Sequence, residues 1–273
     1  MPEATSMFVL GSFVAACSVK VARLPVPGES LTADAFTLEA GGKGPNLAIG
    51  SRKLGARVDG LIAVGSDGLA TLAETALADA GLPPEILKRF PGPSGAGVGF
   101  TDARGENCLA VYPGANAHLS AEDVCAAESR LRRAKLVLAQ FEIGDGAVAA
   151  AFEIARDAGA ETILNPSPFR PIDAAILRHT GTLVVNRVEA ARLARNLGTK
   201  TLQPLADALG VGTLVVTLGE DGAVAFDRDL GEIRQPPFPV AAVDTLGAGD
   251  AFTAAFATAR LERLPLEACM RRG

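Results

Sequence analysis

The sequence predicts an α/β fold with three layers, in which a mostly parallel, doubly wound sheet lies between two layers of helices. Three observations predict it: the strand-like segments are continuously apolar, helical patterns separate them, and the alternation runs along most of the chain. Continuous apolar runs indicate strands buried on both faces, and parallel strands need long crossovers that are usually helices. Ligands of such sheets bind at the carboxyl ends of the strands.

The predicted elements follow one another in a regular order. Strands are predicted at residues 7–10, 61–64, 136–138, 162–164, 183–185 and 214–217, and helices at 47–54, 69–80, 121–133, 147–158, 172–179, 189–197 and 251–257. No low-complexity linker, internal repeat or charge block interrupts them, so we expect one domain over residues 1–273.

Two stretches, about 13–38 and 95–112, break this order. They are rich in Gly and Pro, and residues 97–101 and 108–111 predict the two strands of a hairpin. Small strands inserted into an α/β chain often form a lid over the site, although a surface hairpin without a function is the other interpretation.

Composition excludes several classes of partner. The net charge of −5 favours neither nucleic acid nor an anionic membrane surface, and no apolar run reaches the ~18 residues that cross a bilayer. The four cysteines form no Cys-x-x-Cys pair, which is typical of reduced thiols in a cytoplasmic protein.

The segment that begins at Asp244 and ends in Gly247-Ala248-Gly249-Asp250 precedes a strong helical pattern. Backbone N–H groups at the start of a helix have no acceptor within it, and glycines let a phosphate approach them. Asp250 would then lie at the edge of an anion site, where it can accept a proton from an attacking hydroxyl. A capped helix after a glycine turn is the alternative.

A second glycine-rich segment, Gly41-Gly42-Lys43-Gly-Pro-Asn46, also precedes a helical pattern. It lacks the spacing of a Walker A loop. Its glycines would let the backbone approach a ligand, and Lys43 and Asn46 could bind hydroxyl groups. By itself, the segment is equally compatible with a plain turn.

Together, these segments resemble the two signatures of the PfkB/ribokinase family of carbohydrate kinases. Other segments fall in the family's order along nearly the whole chain; they are 11–12, 24–29, 112–116, 140–142, 165–168, 186–189 and 217–222. The resemblance implies a ribokinase-like fold with a small inserted β lid and an ATP-dependent phosphotransferase that acts on a hydroxyl of a sugar or sugar-like small molecule.

The resemblance also implies a role for each matching residue. Asp250 would be the catalytic base, and Gly247, Ala248 and Gly249 would form the anion hole. Gly41, Gly42, Lys43, Asn46, Glu142 and Asp250 would bind the sugar; Asn186, Thr217, Gly219 and Gly222 would border ATP; and Glu189 would hold Mg²⁺, mostly through water. The other interpretation of Glu189 is a carboxylate favoured by the dipole of a helix first turn. A K⁺ requirement and a homodimer formed through the lid stay open.

Two features depart from the family pattern. Where ribokinases carry Gly-Ser-x-Asn-x-Asp, this chain has Val14 and Ala16, which cannot bind a sugar hydroxyl through their side chains. We therefore expect a less hydroxylated, modified or differently oriented acceptor, or compensation by another residue such as Asp34. Family members also continue for a few tens of residues beyond the late helix, whereas this chain stops at Gly273, which leaves truncation open.

Three other functions bear comparison with a sugar kinase. A nucleoside kinase of the same family would differ only in its acceptor. A binding protein that has lost turnover would explain Val14 and Ala16, but Lys43, Glu189 and Asp250 favour an intact enzyme. A dinucleotide oxidoreductase is disfavoured, because the glycines at 95–99 lie in a predicted hairpin rather than in a strand-to-helix turn.

Overall fold

The computed structural model describes residues 6–240 and 245–273, which contain thirteen strands and ten α-helices. The strands are β1 Ser6–Ser12, β2 Val14–Lys20, β3 Ala35–Gly41, β4 Arg57–Val64, β5 Leu87–Arg89, β6 Gly95–Thr101, β7 Asn107–Tyr112, β8 Leu136–Gln140, β9 Glu161–Asn165, β10 Thr182–Asn186, β11 Thr213–Thr217, β12 Ala223–Asp227 and β13 Gly231–Gln235. The helices are α1 Lys43–Lys53, α2 Ala70–Asp79, α3 Ala121–Ala126, α4 Glu128–Leu131, α5 Asp145–Asp157, α6 Ala174–Leu177, α7 Arg187–Asn196, α8 Leu202–Leu209, α9 Ala248–Leu261 and α10 Leu266–Arg272.

The larger sheet of the described residues has nine strands in the order β13-β12-β11-β10-β9-β8-β1-β4-β5. All neighbours from β11 to β5 pair in parallel, and β12 and β13 add an antiparallel edge. The predicted mostly parallel α/β sheet is therefore confirmed. The strand order reverses direction at β1, from which the chain runs outward to β4 on one side and, later, to β8 on the other.

Helices cover both faces of this sheet. Phe8 and Leu10 belong to a core cluster shared with α3, α5, α7 and α8, whereas Met7 and Val9 belong to a cluster shared with α1, α2, α9 and α10. Successive side chains of a strand point to opposite faces, so burial on both sides requires the continuous apolar run that the sequence shows. This arrangement confirms the three layers.

Several helices differ from their predicted extent. The predicted helix 121–133 is divided at Ala127 into α3 and α4, and the one at 172–179 is a single turn, α6, capped by Asp173. Helix α8 has Pro204 in its first turn, where the missing N–H costs no helical hydrogen bond. The sequence patterns missed α8, α10, β5, β12 and β13, of which β5 and β13 are the edge strands of the larger sheet. No helix among residues 6–240 and 245–273 combines the length and apolarity needed to cross a membrane.

A second sheet has four strands in the order β3-β2-β6-β7 and begins where β1 ends; we call it the lid sheet. Strands β6 and β7 form the predicted hairpin. In its turn, Asp102 Oδ1 accepts hydrogen bonds from the amides of Arg104 and Glu106, at 2.8 and 3.0 Å. The lid sheet joins the main fold directly, since β2 follows β1 after one residue and β3 continues through Gly42 into α1.

Candidate active site

The two glycine-rich segments meet at Asp250. Helix α9 begins after Gly247, which has a φ of 75°, and Asp250 lies in its first turn with an exposed fraction of 6%. Its Oδ1 is 2.9 Å from Lys43 Nζ, and its Oδ2 accepts a hydrogen bond of 2.8 Å from Asn46 Nδ2. The first turns of α1 and α9 therefore hold one carboxylate between an ammonium and an amide. Asp244, where the late segment begins, lies outside the described residues.

Glycine is required where α1 begins, because the chain passes very close to β1 and β2. Gly42 has a φ of 89°, and a Cβ added there would lie 2.7 Å from Val14 N. A Cβ on Gly44 would lie 2.5 Å from Ser12 O. Both distances are shorter than any that a real Cβ tolerates, so these glycines bring Lys43 close to the end of β1.

Glu142 supports the same helix end. Its Oε2 accepts a hydrogen bond of 3.0 Å from Lys43 N and another from the hydroxyl of Ser12. Ser12 Oγ also accepts a hydrogen bond of 3.0 Å from Gln140 Nε2, and Gln140 Oε1 accepts one from Glu142 N. The ends of β1 and β8 are thus joined to the first amide of α1, where a carboxylate is favoured by the helix dipole.

Asn186 and Glu189 form a capping box at the start of α7. Asn186 Oδ1 accepts from Glu189 N and Glu189 Oε2 accepts from Asn186 N, both at 2.9 Å. The Glu189 side chain is buried, with a residue exposure of 6%. The hydrogen bond from Asn186 N to Glu189 therefore agrees with the alternative interpretation, in which this carboxylate stabilises the first turn of a helix.

One cleft at the carboxyl ends of the strands brings many of the predicted residues together. Its lining residues come from β9 and the loop after it, from β10 and β11, and from the starts of α1, α7 and α9; they are Lys43, Asn165, Ser167, Val184, Val185, Asn186, Glu189, Thr217, Gly249, Asp250 and Thr253. The predicted acceptor side and the predicted nucleotide side thus share one space. The remaining predicted residues do not line it; they are Gly41, Gly42, Asn46, Glu142, Gly219, Gly222, Gly247 and Ala248.

Some of these eight have local structural duties. Ala248 N donates a hydrogen bond of 3.2 Å to Thr245 O, so this predicted anion-hole amide has an acceptor within the chain. Gly222 has a φ of 84°, and a Cβ added there would lie 2.2 Å from Gln235 O, so it permits close contact with the end of β13. Gly219 has a φ of 66° with open space around it.

The family model described as pfkB family carbohydrate kinase matches residues 4–273. The chain belongs to the pfkB family of carbohydrate kinases. It is 33% identical to the deoxyribokinase of Salmonella typhi over 272 residues, which cover 97% of this chain and 88% of that protein. It is 31% identical to the ribokinase of Staphylococcus aureus strain COL, with 91% and 84% covered.

Solved structures agree with this family assignment. The ribokinase of Thermotoga maritima matches with a TM-score of 0.89 and 28% identity, covering 97% of this chain and 89% of that one. Arabidopsis thaliana ribokinase complexed with ribose and ATP matches with a TM-score of 0.87 and 32% identity, covering 98% and 89%. The predicted family, ribokinase-like fold and carbohydrate-kinase class are therefore confirmed.

Within this pfkB-family kinase, the structure also shows contacts of polar residues to which the sequence analysis assigned no role. At the cleft, Asn165 Nδ2 donates a hydrogen bond of 2.9 Å to Val184 O, and Thr253 Oγ1 donates one of 2.7 Å to Gly249 O. Asn116 pairs with both backbone groups of Phe13, at 2.9 and 2.7 Å, and so holds the junction of β1 and β2. Position at a strand end was the available signal for Asn165, whereas the contact of Asn116 joins residues 103 apart in sequence.

Val14 and Ala16, which depart from the family pattern after the first strand, lie two residues apart on β2. Val14 is 8% exposed and pairs with Gly41, and Ala16 pairs with Glu39 of β3. The expected compensation by Asp34 stays a prediction, and the structure places this residue far from Ala16. Asp34 N donates a hydrogen bond of 2.8 Å to Lys20 O at the far end of β2. Lys20 is four residues, and therefore about 13 Å, from Ala16 along the strand.

Proposed function

We propose that this kinase transfers the γ-phosphoryl group of ATP to a hydroxyl group of a sugar, with Asp250 as the catalytic base. The observation that carries the proposal is the joint contact of Lys43 and Asn46 with the Asp250 carboxylate at a helix start that opens into the cleft. Relatives named ribokinase and deoxyribokinase make pentoses and deoxypentoses the first acceptors to test.

Asp250 would act by general-base catalysis. A carboxylate has about four acceptor sites, and Lys43 and Asn46 occupy one on each oxygen, so another can accept the proton of the attacking hydroxyl. The hydroxyl oxygen forms a bond to the γ-phosphorus, the bond to the bridging oxygen of ADP breaks, and the proton passes to Asp250. Lys43 and Asn46 would orient the carboxylate and the acceptor together.

The start of α9 would stabilise the charge of the transferred group. We assign the predicted anion hole to the turn Gly247, Ala248 and Gly249, of which Gly249 lines the cleft and Ala248 N would exchange its hydrogen bond to Thr245 O for one to the anion. Backbone amides of a helix first turn donate to anions without reorganising during the reaction. Across the cleft, Asn186 and Thr217 are paired strand ends that would border ATP, with Gly219 and Gly222 shaping the turn beyond them.

The residues present fit a hydrated Mg²⁺ rather than a metal enclosed by protein ligands. Among the described residues, no group of three or more His, Cys, Asp or Glu side chains could hold a metal. Glu189 uses Oε2 in its capping box, which leaves Oε1 for a water ligand, and Mg²⁺ retains much of its hydration shell when it binds phosphates. When bound, Mg²⁺ would neutralise charge on the β- and γ-phosphates.

A coupled ADP-release assay tests the proposal, with D-ribose, 2-deoxy-D-ribose, D-fructose and inosine as acceptors, each with and without K⁺. We expect turnover with a sugar and a kcat lower by about 10²–10⁴ in Asp250→Asn, because a general base contributes that much. Asp157→Asn, an exposed acid at the end of α5, is the matched control. Full activity of Asp250→Asn would eliminate the assigned base, and ligand-dependent thermal stabilisation without ADP release would favour a binding protein.

We also infer a homodimer formed through one face of the lid sheet. Phe36, Leu38, Val98 and Tyr112 share that face by strand register and are 62%, 42%, 41% and 57% exposed. A contiguous exposed apolar patch favours association. Light scattering at several concentrations checks it: we expect a dimer for the wild type and a monomer for Phe36→Asp.

A cytoplasmic location stays the expectation for this kinase. All four cysteines are free thiols, and Cys108 and Cys125 are exposed, which favours a reducing compartment.

A further inference from the structure

The lid sheet has a face directed toward Asp250. On its other face, Ala15 and Ala40 pack with α2 in the core. Helix α1 lies between α2 and α9, since it contacts both. The face that carries Val14, Ala16 and Gly41 therefore turns away from α2 and toward the start of α9, where Asp250 lies.

Near the main fold, this face is apolar. Val14 pairs with Gly41 and Gly95, and Ala16 lies in one row with Gly97 and Val111. The backbones pack closely there: a Cβ on Gly41 would lie 3.0 Å from Ala16 Cβ. An acceptor seated against these residues meets carbon where it needs hydrogen-bond partners.

The carboxylate of Glu39 interrupts this apolar surface. Glu39 lies directly opposite Ala16 on β3, two residues before Gly41, and it is exposed. Opposite residues of an antiparallel pair have Cβ atoms about 4.5–5.5 Å apart, and the Glu side chain is long enough to reach over its neighbour. In the described parts of the chain, no hydrogen bond or ion pair engages this carboxylate.

We propose that Glu39 is a specificity-determining residue of the acceptor site, where its carboxylate accepts hydrogen bonds from hydroxyl groups of the sugar other than the one phosphorylated. The proposal rests on the proposed function for the location of the acceptor. Glu39 supplies from β3 the polar contact that Val14 and Ala16 cannot supply from β2. A carboxylate only accepts hydrogen bonds, so it selects a ligand that presents donors on the lid side.

Kinetics of Glu39→Ala test the inference. With the sugar that the wild type uses best, we expect KM to rise about 10- to 100-fold, the range for hydrogen bonds to a charged group. The kcat and the KM for ATP should stay within about threefold, because Glu39 contacts neither the transferred phosphoryl group nor Asp250. Asp157→Asn, the exposed acid at the end of α5, is the matched control and should leave all three constants unchanged.

A carboxylate moved across the strand pair gives a second, independent readout. Ala16→Asp in the Glu39→Ala background places a carboxylate on the directly opposite residue, and we expect it to recover most of the lost affinity. A purely structural effect of Glu39→Ala would not be rescued in this way. Unchanged KM in Glu39→Ala, or a loss that Ala16→Asp does not restore, would overturn the inference.

Binding measurements separate this inference from the proposed function. Calorimetry with D-ribose, 2-deoxy-D-ribose and D-fructose gives a Kd for wild type and Glu39→Ala whether or not turnover occurs. If the wild type binds a sugar without releasing ADP, the proposed function fails, while a 10-fold or larger rise in Kd still supports Glu39. If none of the three sugars binds the wild type, the role of Glu39 is refuted.

Discussion

The burial of the contact between Lys43 and Asp250 predicts how much its removal changes the free energy of unfolding. The two charged atoms are 2.9 Å apart, and their side chains are 19% and 8% exposed. Exposed ion pairs contribute about 0.2–1 kcal/mol, whereas removal of one partner of a fully buried pair costs about 3–5 kcal/mol. This pair lies between those limits, so we expect Lys43→Met to lower the free energy of unfolding by about 2 kcal/mol.

A double-mutant cycle isolates the interaction between the two residues. Asp250→Asn should cost about 1 kcal/mol, less than Lys43→Met, because the Lys43 ammonium can turn toward solvent. The double variant has neither unpaired charge, so we expect its loss to be smaller than the sum of the single losses by about 1–2 kcal/mol.

Urea unfolding measures this coupling, provided that the dependence of the free energy on urea is the same in all four proteins. Lys53→Met at the exposed end of the same helix is the control and should change the free energy by less than about 0.5 kcal/mol. Losses that add within about 0.5 kcal/mol would show that the two side chains do not stabilise one another, and the reasoning from their burial would be refuted.

Three further predictions concern stability. Gly44→Ala should lower the free energy of unfolding by about 1–3 kcal/mol, since the new Cβ would lie 2.5 Å from Ser12 O at the end of β1. Gly146→Ala, which has open space around it in α5, should raise the free energy of unfolding by about 0.4–1 kcal/mol, and thermal melts measure both changes. Burial by itself would raise the pKa of Asp67, but hydrogen bonds led by those from Ser94 outweigh it and lower that pKa. The stabilisation is therefore present above the unfolded pKa near 3.9 and is lost as the pH falls through the folded pKa. The free energies of unfolding of wild type and Asp67→Asn, measured in urea, should therefore converge below about pH 4. The Ser51 hydroxyl is buried without a partner among the described residues, so Ser51→Ala should leave the melting temperature unchanged or raise it.

The central strands could be predicted because their burial on two faces leaves a direct trace in the sequence. Residues Met7 to Leu10 alternate between the two core clusters, so every position is apolar. The edge strand β13 left no such trace, since it is mostly exposed, whereas the antiparallel strand β12 was missed although it is buried. The single turn α6 was predicted too long because local helical pattern does not include the packing that ends a helix.

The candidate site also has a part that could be predicted from the sequence and a part that could not. Gly42 and Asp250 could be singled out because glycines before a helical pattern have a local backbone meaning. That Asp250 and Lys43, 207 residues apart, serve one site was expected only through the family resemblance, because no local rule brings two helix starts together. The position of Glu39 opposite Ala16 could not be predicted, because the sequence does not state the register of β2 against β3.

The sequence by itself therefore determined the parallel α/β architecture, the family and the segments from which a kinase site is built, since these depend on local periodicity and on short motifs. Only the tertiary structure decided which side chains meet: Lys43 and Asn46 with Asp250, Glu142 with Ser12, and Glu39 beside Ala16. The physical reason is that strand register and helix packing are set by contacts between segments far apart in the chain.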